Sequence, residues 1–175
     1  MRILALNGSL RARSSNGAVL RALAELAPPG VEVAVDDSLG ELPHFNPDLD
    51  EEGAVPPPPV AALRARLAAA DAVIVCSPEY AHGVPGALKN ALDWLVSDVP
   101  LIGKRVAVLA VSPSGGAHAH AHLVETLRTM SWTVVEPASL RVQLGRAQLD
   151  ADGRLADPAV RDRLRAAVAA LVAAA

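Results

Sequence analysis

Apolar positions along this chain switch repeatedly between two patterns. Ile3-Leu4-Ala5-Leu6 is an unbroken apolar run that stops at Asn7-Gly8, as a strand buried on both faces would. Val19, Leu20, Leu23 and Leu26 follow at helical spacing until Pro28-Pro29-Gly30 ends the pattern. Val31, Val33 and Val35 alternate with Glu32 and Ala34, which predicts a strand nearer the edge of a sheet. From Asp36 to Pro59 there is little periodicity, and Pro43, Pro47 and the run Pro56–Pro59 punctuate it. Connections this long are usually functional or mobile. The pattern then resumes with a helix from Val60 to Ala70 and a second buried strand, Asp71 to Cys76. Ala87, Leu88, Ala91, Leu92 and Leu95 form one helix face, and Val106 to Val111 a third apolar strand. Ala117 to Met130 reads as helical and Thr133-Val134-Val135 as a short strand. Val160, Leu164, Ala167, Val168, Leu171 and Val172 close the chain as an amphipathic helix.

Five strands separated by helices predict an α/β protein with a parallel sheet covered on both faces, because parallel strands need right-handed crossovers. Ligands of such folds sit beyond the carboxyl ends of the strands, near the switch in strand order. Three polar loops follow the three most apolar strands: Gly8–Asn16, Ser77–Gly86 and Ser112–Gly116. Function is expected there.

Composition narrows the classes. With 175 residues and 51% hydrophobic types, the chain suits a single domain, residues 1–175, with a sizeable core. Aromatics are only 2%, so Ala, Val, Leu and Ile must build that core. Scarce aromatics and a net charge of −3 speak against nucleic acid, which calls for stacking platforms or a basic footprint. The single Cys76 excludes an intrachain disulfide and any cluster needing several thiolates from this chain. No apolar stretch approaches the ~20 residues of a membrane helix, and the first residues turn polar too soon for a signal peptide. A soluble, cytoplasmic protein without a membrane partner is the expectation.

The first loop, Asn7-Gly8-Ser9-Leu10-Arg11-Ala12-Arg13-Ser14-Ser15-Asn16, gathers hydroxyls, amides and guanidiniums where a strand feeds a helix. A helix N-terminus offers unpaired N–H groups and the positive end of a dipole. Ser9, Ser14, Ser15 and Asn16 can add neutral hydrogen bonds and Arg11 a charge-assisted one. Helix capping would employ one of these residues; a phosphate monoester would use four of them and Arg11. The P-loop pattern and the dinucleotide fingerprint are both absent. A receiver domain would want carboxylates where Asn7 and Cys76 end their strands.

The second loop and its helix, Ser77-Pro78-Glu79-Tyr80-Ala81-His82-Gly83-Val84-Pro85-Gly86-Ala87-Leu88-Lys89-Asn90-Ala91-Leu92-Asp93-Trp94, closely resemble the signature of the NADPH-dependent FMN reductase family, flavodoxin-like enzymes that include quinone and chromate reductases. Gly8-Ser9-Leu10-Arg11 with Ser14 and Asn16 matches that family's phosphate loop, and the likeness runs in order through Leu42-Pro43 and Asn46-Pro47-Asp48-Leu49. The resemblance implies a flavodoxin-like three-layer sandwich with five parallel strands in the order 2-1-3-4-5. It implies non-covalent FMN, its phosphate on Ser9, Arg11, Ser14 and Asn16, with Ser15 a further candidate. The isoalloxazine ring would lie against Pro78, Glu79, Tyr80 and Ala81, with Ser112, Gly115 and Gly116 from the third loop. NADPH or NADH would be the transient donor, and a quinone, chromate, an azo compound or free flavin the small acceptor, exchanged in ping-pong fashion. Members are usually homodimers or homotetramers. Hydride chemistry belongs to the flavin, so no catalytic side chain and no metal is expected. The other reading is an FMN-binding electron carrier reduced by a protein partner.

Three departures stand out. Ala81 occupies a position where the family often has Asn, the third loop is two or three residues shorter than the common form, and Arg13 stands where a small residue is frequent. Arg13 is read as solvent-facing. The backbone of Glu79 is expected to matter more than its carboxylate, and Tyr80 to pack on the ring or at a subunit contact. Lys89, Asn90, Asp93 and Trp94 are read as structural. His118 and His122 share a helix face while His120 points away, a poor metal site without further ligands. Cys76 is read as a core residue.

Overall fold

The computed structural model describes residues 1–145 and 148–174. Its strands are β1 (Arg2–Asn7), β2 (Glu32–Asp36), β3 (Ala72–Ser77), β4 (Arg105–Ser112), β5 (Thr133–Val134) and β6 (Leu140–Gln143). Its helices are α1 (Ser15–Leu26), α2 (Pro58–Ala69), α3 (Gly86–Asp93), α4 (Ala117–Thr129) and α5 (Pro158–Ala173). The sheet is parallel throughout and runs β2-β1-β3-β4-β5, the expected order, with β6 also paired to β4.

Period two sorts the strand side chains into two cores. Ile3, Ala5, Ile74, Cys76, Leu109 and Val111 point to one face, where Val19, Leu20 and Leu23 of α1 meet Leu164, Val168 and Leu171 of α5. Leu4, Leu6, Val73, Val75, Val106 and Val108 point to the other, against Leu63 and Leu67 of α2, Leu88 and Leu92 of α3, and Leu123 and Leu127 of α4. Every residue of β3 is buried, whereas β2 at the edge alternates. The sandwich therefore follows from which strands are apolar on both faces.

The fifth strand position differs from the expectation. Two short pieces share that edge of β4: β5 pairs with Arg105 and Val106, and β6 with Leu109 through Ser112. A 3-10 turn at Glu136–Ala138, carrying Pro137, separates them, since proline cannot donate to the ladder. In β6 only Val142 is fully buried, too faint an alternation to read as a strand. Yet β6 delivers Leu144 and Gly145 to the carboxyl end of the sheet, where the Leu144 N–H donates to Ser112 O at 3.2 Å.

The long loop is packed. Asn90 Nδ2 and Trp94 Nε1 both donate to Pro43 O, at 3.0 and 2.9 Å, and the Phe45 N–H donates to Asn90 Oδ1 at 2.8 Å. Phe45 meets the buried Trp94 edge-on, with ring centroids 5.1 Å apart. The structural reading of Asn90 and Trp94 thus acquires a specific task, holding the loop onto α3.

Candidate active site

Four connections converge at the carboxyl ends of β1, β3, β4 and β6 around a cleft of about 210 Å3. It is lined by Ser9, Arg11, Ser14, Ser15 and Asn16 from the first connection, Pro78, Glu79 and Tyr80 from the second, and Ser112 from the third. Arg13 lines it too and is exposed, so it faces the cleft as well as solvent. Val111, Pro113, Leu144, Gly145 and Leu149 complete the wall. The last three follow β6 and were missed because that strand was missed.

The first loop is shaped by a close approach. The Gly8 N–H donates to Cys76 O at 2.8 Å, and a Cβ at this position would come within 2.7 Å of that oxygen and 2.9 Å of Leu88 Cδ2. Only glycine lets the chain turn against β3 there. The Ser9 N–H donates to Asn7 Oδ1 at 3.1 Å, while Asn7 Nδ2 donates to Asp37 Oδ1 at 2.7 Å. Ser14 is the N-cap of α1, its Oγ accepting from the Gly17 N–H at 2.9 Å. Capping and ligand binding are compatible, because the accepting hydroxyl keeps its own hydrogen to donate.

Asn16 looks the other way. It is 2% exposed, donates to Val111 O at 3.4 Å and accepts from the Cys76 thiol at 3.2 Å. Its side chain pins α1 to β3 and β4, which leaves its backbone N–H as its contribution to the cleft. That N–H and the one of Ser15 have no partner among the described residues. Two such donors at a helix N-terminus, beside the hydroxyls of Ser9 and Ser14 and the Arg11 guanidinium, fit a phosphate monoester. Complete burial pushes the Cys76 thiol up.

Glu79 has two separate roles. Its backbone N–H at the cleft has no partner among the described residues. Its carboxylate leaves the cleft and accepts from the His118 and Ala119 N–H groups, at 2.8 and 2.9 Å, and from Ser114 Oγ at 3.3 Å. Those are the second and third N–H groups of α4, whose own N-cap, Gly116, has no side chain to serve them. The hydrogen bond from Ala119, first among several, holds the Glu79 carboxyl below its ordinary range.

Gly115, Gly116 and Ala81 do not line the cleft. Gly115 and Gly116 have φ of 87° and 63°, turning the chain into α4, and a Cβ on Gly116 would stand 2.8 Å from Ala110 Cβ. Ala81 and His82 both have positive φ, 49° and 59°, between Tyr80 and Gly83, which exchange two backbone hydrogen bonds of 3.0 and 2.9 Å. This is the pattern of a type I′ turn, suited to Asn or Gly. Asn or Gly would adopt this backbone at lower cost than Ala81 does. His82 stacks on His118 at 4.0 Å and 18°, an arrangement in which the ring-plane nitrogens do not converge on one ion.

The model of the NADPH-dependent FMN reductase family matches residues 1–145. The chain belongs to that family. It is similar to an NAD(P)H-dependent FMN reductase of Pseudomonas aeruginosa, 34% identical over 175 residues, covering 98% of this chain and 93% of the relative. It is also similar to a quinone reductase of Escherichia coli, 40% identical over 131 residues, covering 73% of this chain and 69% of the relative. Among solved structures, the flavoenzyme NAD(P)H:(acceptor) oxidoreductase FerB of Paracoccus denitrificans superposes with a TM-score of 0.85 at 31% identity, over 98% of this chain and 95% of that one. As a member of the FMN reductase family the chain is an NAD(P)H-dependent oxidoreductase with FMN as its cofactor.

Proposed function

We propose that this FMN reductase family member passes reducing equivalents from NADPH or NADH to a small acceptor such as a quinone, chromate, an azo compound or free flavin, by ping-pong exchange at one cleft. The observation that carries the reading is that one cleft gathers an anion-binding set from the first loop and a mixed apolar and N–H set from the other loops. The N–H groups of Ser15 and Asn16, the hydroxyls of Ser9 and Ser14 and the Arg11 guanidinium would hold the FMN phosphate. Pro78, Glu79 and Tyr80, with Ser112, Pro113 and Leu144, would offer apolar surface and the Glu79 N–H for the ring. Ala81, Gly115 and Gly116 act behind this wall, by setting the turns that shape it.

When bound, FMN would supply the redox chemistry, taking a hydride from reduced nicotinamide and returning its two electrons and proton, with a further proton from solvent, to a quinone-type acceptor. The protein's part is to bind, orient and leave one side open. No acid–base residue is required, and the Glu79 carboxylate is committed to α4. A homodimer or homotetramer is part of this reading, as the family resemblance implies. A cytoplasmic setting is supported by the single, buried, unpaired Cys76.

Anaerobic titration of FMN-loaded protein with NADPH or NADH should bleach the flavin bands stoichiometrically, and initial rates with a quinone should give parallel reciprocal plots. Bound flavin that no nicotinamide bleaches would sink the oxidoreductase reading; intersecting plots would sink the ping-pong exchange alone.

A further inference from the structure

Two guanidiniums face the cleft, and the phosphate site needs one. Arg11 and Arg13 both line it, and neither forms an ion pair among the described residues. Arg11, with Ser9 and Ser14, also lines an adjoining polar hollow that includes Asn7, Asp37 and Arg21. Arg13 lines the cleft but not that hollow, and Arg21 the hollow but not the cleft. Glu79 is the one carboxylate lining the cleft among the described residues; its Oε2 accepts from two N–H groups of α4 and its Oε1 from Ser114 Oγ. Arg13 therefore has no carboxylate within ion-pair distance among the described residues.

A phosphate monoester carries about −1.5 to −2 charges near neutral pH. Arg11, the α1 N-terminus and the adjoining hydroxyls answer that charge and fill its acceptor sites. With FMN in place, one exposed cation is left over at the rim, on the loop that would hold the cofactor phosphate. The electron donor that must enter the same cleft carries phosphoryl groups of its own.

Resting on the function proposed above, we propose that Arg13 is a specificity-determining residue that engages a phosphoryl group of the incoming nicotinamide dinucleotide. The group is either the pyrophosphate or the 2′-phosphate, and the donor comparison separates them. The guanidinium's planar fork suits either.

The test uses FMN-loaded full-length protein, with FMN affinity measured by fluorescence titration and NADP⁺ binding by calorimetry. Reduction by NADPH and by NADH is followed in anaerobic stopped flow. In Arg13→Ala the half-saturating donor concentration and the NADP⁺ dissociation constant should rise about tenfold or more, the loss expected of one charge-assisted hydrogen bond. The limiting reduction rate should hold, and the FMN dissociation constant should move less than about threefold, a small change on the same scale. Arg21→Ala removes the same charge from the adjoining hollow, outside the cleft lining, and should leave the NADP⁺ dissociation constant and the half-saturating donor concentration unchanged. Weakening confined to NADPH assigns the 2′-phosphate; equal weakening with NADH assigns the pyrophosphate. Behaviour of Arg13→Ala like that of Arg21→Ala would overturn the assignment, and so would a loss of FMN affinity matching that of Arg11→Ala. Failure of the oxidoreductase reading itself would be seen earlier, in unsubstituted protein that neither nucleotide reduces.

Discussion

The Glu79 carboxylate accepts a 2.9 Å hydrogen bond from the backbone N–H of Ala119, forty residues further along the chain. With its second bond to the His118 N–H, it does for α4 what a Ser or Asp at the N-cap would do, from a different loop. One side chain thus couples the loop after β3 to the loop after β4, both of which line the cleft.

Because its carboxyl is held below the ordinary value of 4.5, Glu79 stabilises the fold above that pH. The contribution is lost as pH falls through the lower, folded-state value. Glu79→Gln should lower the melting temperature by a few degrees at neutral pH, with the gap to the parent constant down to about pH 5 and closing in stronger acid. A gap that persisted unchanged at pH 3 in thermal melts would remove the carboxylate from this role.

Arg11→Ala should weaken FMN by about 1.5–3 kcal/mol, the range for a hydrogen bond to a charged group. The fold should be untouched, since Arg11 is exposed and forms no ion pair among the described residues. Fluorescence titration gives the affinity and circular dichroism the control. An affinity within twofold of the parent would place Arg11 away from the phosphate.

Ala81→Asn should stabilise the protein by about 1 kcal/mol, because Ala81 holds a left-handed φ that Asn adopts more cheaply. Ala81→Gly should gain less, since glycine also loosens the unfolded chain. Urea denaturation measures both. Destabilisation by Asn would show that the turn is shaped by contacts other than its own backbone.

Asn90→Ala removes one donor and one acceptor from the long loop, leaving the Phe45 N–H unserved and Pro43 O with Trp94 Nε1 alone. A cost of about 1–3 kcal/mol follows from the unsatisfied groups, with faster proteolytic cleavage around residues 43–57. Unchanged cleavage would mean that Phe45 and Trp94 suffice to hold the loop.

Much of this was legible in the chain itself. Continuous apolar runs marked β1, β3 and β4, and alternation marked β2 as an edge strand, because burial on two faces or one leaves a direct imprint on residue choice. The loops after those strands carried hydroxyls, a guanidinium and a Pro-Glu-Tyr turn in family order, so nine of the twelve site residues named from them line the cleft. That local chemistry needs no folding to be read. Tertiary structure alone decided the rest. It split the fifth strand and brought Leu144, Gly145 and Leu149 to the wall, because a four-residue strand with one buried side chain leaves almost no periodic signal. It turned the Asn16 side chain inward and sent the Glu79 carboxylate to α4, because a hydrogen bond across tens of residues depends on where two loops meet in space. Sequence determines which polar groups are present; the sheet decides which of them have partners and which remain to bind a ligand.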